Sequence, residues 1–453
     1  MRDPSEETFN LLESQYPKEF AAADKEAWHK TLGEDTDELD NRIELALGSA
    51  KSRPPWVLVG GPPCQAYSLI GRACNGGISA DDPRVRLYFH YRDIVATHKP
   101  DIFVMENVKG LLSAKVDDVL VFDQICKDLR APDPTDPDLK YRLHSFVEPE
   151  SRQKSLIPDD IRGADCVIKM EEYGIPQKRH RVILLGIRES DENAIKPICL
   201  KGVDEISTRM VIDDLPKLRS GLSKKVDRKT GWGVKLKGIL ESAWFEEMES
   251  TLPNVHGKIH RLLKRKKALP KIRGGQFVPK HGNRKTSIGY ESEADWFTDD
   301  RLGGYCNHET RGHIFEDLER YLFASCFAAT ENQSPRITEF PEPLLPKHKS
   351  ATTVNADGTI SFTDRFKVQL QNEPATTVMS HISKDGHYYI HYDPSQCRSL
   401  TVREAARIQT FPDNYFFCGP RTEQYRQVGN AVPPLLGRQL ANVVWNVCRQ
   451  IVS

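Results

Sequence analysis

Three short segments of this 453-residue chain carry side chains suited to covalent or acid–base chemistry. The first is Gly60-Gly61-Pro62-Pro63-Cys64-Gln65. Two glycines let backbone approach a ligand, and two prolines stiffen the turn. A free thiol is only about 3% thiolate at neutral pH, so Cys64 as a nucleophile needs help from its surroundings. Taken alone, a structural cysteine fits equally well. The second is Glu106-Asn107-Val108. A carboxyl group there could do acid–base work, or either polar residue could cap a following helix. The third is Gln177-Lys178-Arg179-His180-Arg181. In extended chain, Gln177, Arg179 and Arg181 share a face, and two guanidinium groups side by side suit an anion or a base carbonyl. A merely charged strand entry fits as well. Cys306, His308 and His313 lack the spacing of a metal site, so a structural or DNA-facing role is expected and no metal.

Each segment needs an element to hold it. Trp56-Val57-Leu58-Val59 is a short apolar run ending at the glycines, which reads as a buried parallel strand feeding a tight loop. Asp101–Met105 reads as a second strand, with 164–170 and 181–187 as a third and fourth and a helix over 84–98. Strands alternating with helices predict an α/β parallel sheet, whose strand carboxyl ends are where ligands bind. Residues 7–50 read as helical. From about 220 to 395 periodicity is weak. One helix is expected at 314–329, and a hairpin over 375–392 with Lys384-Asp385-Gly386 as its turn. Thr401-Val402-Arg403-Glu404 is a capping box, and Pro412 stops the helix it opens. Leu436, Leu440, Val443, Val447 and Ile451 form one face of a closing amphipathic helix.

Composition excludes several classes. Lys plus Arg and Asp plus Glu are 64 each, so the chain is no bulk polycation. The charge is clustered all the same. Residues 1–50 carry 13 acids and 5 bases, whereas residues 251–290 carry 11 bases and no acid. That basic block could face phosphates or be a solvated loop. Ten scattered cysteines without a CxxC pair suit reduced thiols. With no signal peptide and no apolar run of membrane length, a cytoplasmic protein is expected.

The segments occur in an order and spacing that resemble the DNA cytosine-5 methyltransferases. The resemblance rests on GGPPCQAYS at 60–68, MENVKGLL at 105–112, YGIPQKRHRVILLG at 173–186, SLTVREAARIQTFPD at 399–413 and QVGNAVPP at 427–434. It implies a Rossmann-like S-adenosylmethionine-dependent methyltransferase sheet plus a smaller, irregular target-recognition domain. The implied layout is a helical segment at 1–55, a catalytic domain at 56–220, a target-recognition domain at 221–395 and the rest of the catalytic domain at 396–453.

By the resemblance, Cys64 is the thiolate that adds to carbon 6 of a flipped-out cytosine, turning the ring into an enamine whose carbon 5 attacks a methyl group. Glu106 would protonate or hydrogen-bond ring nitrogen 3, Arg181 would bind the carbonyl oxygen at position 2, and Arg179 would support it and a nearby phosphate. Pro63 and Asn430 would lie against the cofactor. Gln65, Ser68 and Gln177 would serve the DNA and a closing loop over 66–86. The implied partners are duplex DNA and a cognate restriction endonuclease, in the bacterial nucleoid.

The sequence departs from the family at its start. The usual Phe-x-Gly-x-Gly cofactor loop is absent, and residues 1–55 have only Gly33 and Gly48. A βαβ unit takes ~30 residues, so three strands with their helices do not fit before Trp56. The strand at 56–59 is therefore expected to lack a neighbour. A late start or truncation, a complementing N-terminal subunit, or a pocket rebuilt by the helices would each account for this. Among rival functions are a non-catalytic DNA-binding remnant and an RNA cytosine methyltransferase.

Overall fold

The computed structural model describes residues 6–452 apart from 35, 49–52, 63–86, 117, 149–160, 191–194, 224–228, 266–268, 281–288, 347–363 and 385. In chain order, α1 (Glu6–Gln15), α2 (Pro17–Glu26) and α3 (Thr36–Leu47) precede β1 (Val57–Gly60). Then come α4 (Leu87–His98), β2 (Ile102–Val108), α5 (Val121–Arg130), β3 (Tyr141–Ser145), β4 (Val167–Lys169), β5 (Gln177–Lys178) and β6 (His180–Arg188). Further on lie α6 (Lys229–Gly238), α7 (Ala243–Thr251), α8 (Pro253–Lys264), β7 (Gly274–Pro279), β8 (Gly304–Glu309), α9 (Phe315–Glu331) and β9 (Ala375–Thr376). The chain closes with α10 (Val402–Ile408), α11 (Arg421–Asn430) and α12 (Pro434–Val452). Two compact units result: one is Met1–Gln15, Gly174–Lys178 and Asp204–Leu435, the other Tyr16–Tyr173, Arg179–Val203 and Leu436–Ser453. These divisions do not coincide with boundaries at 55, 220 and 395.

The second unit holds the main sheet, in the order β1-β2-β6-β3, with β4 also on β6. β2 and β6 are central and buried along nearly their whole length, as near-continuous apolar strands must be. Phe103, Met105, Val182 and Leu184 share one core with Tyr91 and Val95 of α4 and Ile125 and Leu129 of α5. The expectation of a parallel sheet is corrected. β1 and β2 are parallel, but β6 runs antiparallel to β2, β3 and β4. For β4 and β6 the cause is chain length. Only residues 170–179 connect β4 to β6, and a parallel crossover needs a dozen or more. β3 and β4 lie end to end along one edge of β6, pairing residues 184–188 and 180–182 respectively. The strand expected over 164–170 is shortened to β4, because 163–166 form a single helical turn. Among the described residues β1 pairs only with β2, and Val59 is 72% exposed.

In the first unit, α9 stands where a helix was expected, while α6, α7 and α8 were not anticipated. The hairpin over 375–392 is overturned. β9 pairs instead in parallel with β5, and helical turns form at Ser380–Ser383 and His387–Tyr389; Asp385 lies outside the described residues. The capping box is present: Glu404 N–H donates to Thr401 Oγ1 (3.2 Å), and Thr401 N–H donates to Glu404 Oε2 (2.8 Å). α10 is buried all round, and three arginines accompany it inside. Arg398 makes two bonds to Glu404 (2.7 and 2.6 Å), Arg407 two to Asp413 (2.6 and 2.7 Å), and Arg403 donates to the carbonyls of Cys306, Pro412 and Tyr415. Such charges are tolerated inside because every one is paired and hydrogen-bonded. On α12, Leu436, Leu440, Val443 and Val447 are buried as expected, with Ile451 half-buried.

Candidate active site

In the second unit the carboxyl ends of β1 and β2 lie together, because the two strands are parallel and in register. Gly60 is required there: a Cβ at this position would lie 2.5 Å from the Tyr91 ring. Gly61 faces Glu106, with a would-be Cβ 3.2 Å from its Oε2. Asn107, 2% exposed, donates from Nδ2 to the Pro62 carbonyl (3.3 Å), and its Oδ1 accepts Val108 N–H (2.9 Å). The backbone that leads into Pro63 and Cys64 is thus tied to the end of β2.

Arg181 reaches the same place from β6. Its cross-strand partner is Val108, and Glu106 stands opposite Ile183, so Glu106 and Arg181 are diagonal neighbours. Long side chains span that gap. Arg181 Nε lies 2.9 Å from Glu106 Oε1, and Arg181 Nη1 donates to the His180 carbonyl (2.9 Å). Both side chains are mostly but not wholly buried, at 15% and 25% exposure, which leaves the pair reachable from solvent. Glu106 therefore has one oxygen on Arg181 and the other beside Gly61, a carboxyl positioned to exchange a proton with something placed above that loop.

Arg179 is 3% exposed, and its carbonyl accepts Met170 N–H (3.2 Å). Gln177 belongs to the first unit, where its amide is committed: Nε2 donates to the Ile408 carbonyl (3.2 Å) and to Gln409 Oε1, and Oε1 accepts Val378 N–H (3.0 Å). Asn430 is exposed at the end of α11. Beside it Gly429 packs on the Met379–Ser380 backbone, where a Cβ would fall 2.2 Å from Ser380 N. Pro63, Cys64, Gln65 and Ser68 lie outside the described residues. The structure therefore brings Glu106 and Arg181 together beside the Gly61–Pro62 backbone. Asn107 was not among the expected site residues, although a buried polar side chain at a strand end is the signal that marks it.

The described cysteines offer no rival nucleophile in the interior. Burial pushes the Cys166, Cys326 and Cys397 thiols up, Cys326 to about 12, so they hold their protons. His308 uses both ring nitrogens, one on Thr401 Oγ1 and one on the Pro216 carbonyl (2.9 Å each). Among the described residues no His, Cys, Asp and Glu side chains group as a metal site.

A sequence profile described as C-5 cytosine-specific DNA methylase matches residues 25–446. The chain belongs to this family. Type II methyltransferase M.Bpa9945I of Bacillus paralicheniformis is 35% identical over 413 residues, which cover 89% of this chain and 73% of that one. Type II methyltransferase M.AgeI of Thalassovita gelatinovora is 27% identical, over 89% and 85% of the two chains. A solved E. coli structure described as a DNA modification methyltransferase encoded within a prophage is 19% identical, with a TM-score of 0.46 over 89% of this chain and 84% of that one. The protein is thus a cytosine-5 DNA methyltransferase, with an α/β methyltransferase sheet and S-adenosylmethionine as its methyl donor. No described helix is long and apolar enough to cross a membrane.

The described residues do not by themselves fit that cofactor. Before β1 they form three helices and no strand, and Gly33 and Gly48 follow helices rather than opening a glycine loop after a strand. A glycine loop after a strand is what cradles such ligands. No step below is derived through the cofactor.

Proposed function

We propose that this methyltransferase acts through Cys64 on a cytosine flipped out of duplex DNA, as the modification half of a restriction–modification pair. The observation that carries the reading is the Glu106–Arg181 contact of 2.9 Å beside Gly61, three residues before Cys64. Cys64 adds as thiolate to carbon 6. Glu106 gives a proton or hydrogen bond to ring nitrogen 3, and Arg181, with Arg179 behind it, holds the oxygen at position 2, where negative charge develops. Once carbon 5 carries the methyl group, loss of its proton to a base re-forms the double bond between carbons 5 and 6 and expels Cys64 as the thiolate. Residues 221–395 serve as the target-recognition part, and exposed Arg261, Lys264, Arg265 and Lys271 of the basic block meet phosphates. The relatives' description as type II methyltransferases supports a cognate endonuclease.

A complementing segment that carries the cofactor loop goes with this reading. The exposed edge of β1 supports it, because a free apolar strand edge invites pairing. Pro63 and Asn430 are the residues proposed to meet the cofactor, and Gln65, Ser68 and Gln177 to serve the closing loop and DNA.

The test is methyl transfer from labelled S-adenosylmethionine to duplex DNA and to transfer RNA, by the full chain with and without a family N-terminal segment containing the glycine loop. Transfer to duplex DNA that Cys64→Ala abolishes and Glu106→Gln lowers about 10²–10⁴-fold is expected. A Cys64→Ala protein that still methylates DNA, or transfer to RNA alone, refutes the reading. Activity restored only by the added segment identifies a complemented enzyme.

A further inference from the structure

A second polar pair lies directly behind the active-site arginine, on the opposite face of the same strand. His180 Nε2 is 2.7 Å from Glu171 Oε1. Glu171 is 7% exposed, and its Oε2 is buried with no hydrogen-bond partner among the described residues. A buried carboxylate with one oxygen unanswered is costly, and the His180 ring is the group that meets its other oxygen. Successive strand residues point to opposite faces, so the His180 ring and the Arg181 guanidinium diverge. The backbone joins them again, because Arg181 Nη1 donates to the carbonyl of His180 (2.9 Å).

The helical turn Met170–Tyr173 therefore grips the start of β6 twice. Met170 N–H holds the carbonyl of Arg179 (3.2 Å), and Glu171 holds the side chain of His180. A continuous path runs from the Glu171 carboxylate through the His180 ring and carbonyl to the Arg181 guanidinium and on to Glu106. All of these residues lie in one compact unit. Lys169, paired opposite His180 on β4, turns its own ammonium to Glu172 (3.4 Å) and leaves Glu171 to the histidine.

We propose that Glu171 and His180 are positioning residues that fix the strand entry from which Arg181 reaches Glu106. The proposal rests on the reading of Arg181 as a substrate-binding residue, and it is tested without need of methyl transfer. His180→Ala alone would strand a buried carboxylate and could fail to fold. The variant to make is therefore Glu171→Leu/His180→Leu, which removes both polar groups at similar volume and is commonly neutral for folding. Glu171→Gln is its conservative companion, since the amide oxygen still accepts the imidazole N–H.

In the full chain, labelled at arginine, the resonance of the Arg181 Nη1 proton, which is donated to the His180 carbonyl, is identified by its disappearance in Arg181→Lys. Exchange of that proton with water is expected to speed up about tenfold in the double-leucine protein and to stay near the parent rate in Glu171→Gln. Unchanged exchange in the folded double-leucine protein overturns the proposal. Any preparation that methylates DNA gives a second reading: turnover falls in the double-leucine variant, and that fall vanishes in an Arg181→Ala background. Equal falls in both backgrounds also overturn it. A parent chain that never methylates counts against the functional reading and leaves the exchange result standing.

Discussion

Gly429→Ala should damage the first unit, and the geometry sets the size of the effect. An added Cβ would lie 2.2 Å from Ser380 N, 2.3 Å from the Met379 carbonyl carbon and 2.6 Å from Ser380 Cα. All three are backbone atoms and cannot rotate aside, so the 379–380 segment or α11 has to move by about 1 Å to regain van der Waals distance. Overpacking of this kind costs about 1–3 kcal/mol, against which alanine returns up to ~1 kcal/mol of helix propensity. The shift also strains Val378, whose N–H is held by Gln177 Oε1 (3.0 Å). Gly437 in α12 is the matched control, since nothing lies within 4 Å of its would-be Cβ. Gly437→Ala should stabilise by up to ~1 kcal/mol. Thermal unfolding followed by fluorescence reads both variants. For a unit of this size about 1 kcal/mol moves Tm by roughly 2–4 °C, so Gly429→Ala should melt several degrees low while Gly437→Ala melts level or high. If the two variants melt alike, the argument that QVGNAVPP docks through a bare glycine backbone is wrong.

Glu404→Ala removes the acceptor of the buried Arg398 fork and one arm of the capping box, so a loss of about 3–5 kcal/mol is expected; a denaturant midpoint close to the parent's would contradict it. Asn107→Ala frees the Pro62 carbonyl, and in a methylating preparation turnover should fall about tenfold with little change in melting; an unaltered kcat would remove Asn107 from the site. Burial holds His308 down to about 4 and His313 to about 3, from an ordinary 6.5. The unfolded chain therefore takes up these protons first. Their contribution is complete above about pH 6.5 and is lost as pH falls toward 4, together about 4 kcal/mol by pH 5. His308→Gln should flatten the stability profile between pH 7 and 5, and an unchanged slope would show that the ring is already protonated in the fold.

Much of the catalytic unit was legible because local signals and tertiary needs agree there. The apolar runs at 56–59, 101–105 and 181–187 became β1, β2 and β6 there, and in the first unit Thr401 with Glu404 formed its cap. What failed were pairings. An apolar run announces a strand but not its neighbour, and Ala375-Thr376 finds Gln177-Lys178 about two hundred residues away rather than a hairpin partner nearby. Gln177 was read from strand alternation and from the resemblance. Its amide is instead consumed by Ile408, Gln409 and Val378, contacts that no spacing in the sequence encodes. Helix α6 escaped because Lys and Gly blur its periodicity, although Trp232 is buried on it; α7 and α8 do carry a helical stripe, with Trp244 and Met248 and with Val255, Ile259 and Leu263 buried, which went unread.

The antiparallel course of β6 makes the site possible. β1 and β2 are parallel, so both deliver their last residues, Gly60 and Met105 to Val108, to one edge of the sheet. The arginines lie at the start of their strand, not at its end. Were β6 parallel to β2, Arg181 would open the strand at the opposite edge, some 20 Å from Glu106 at ~3.3 Å per residue. Because β6 runs the other way, its first residues face the last residues of β2, with Arg181 against Val108, and the guanidinium meets the carboxylate. The short connection from β4, only ten residues long, sets β6 antiparallel to β4. The same connection carries Glu171, which holds His180. The antiparallel pairing of β2 with β6 thus places Arg181 beside Glu106.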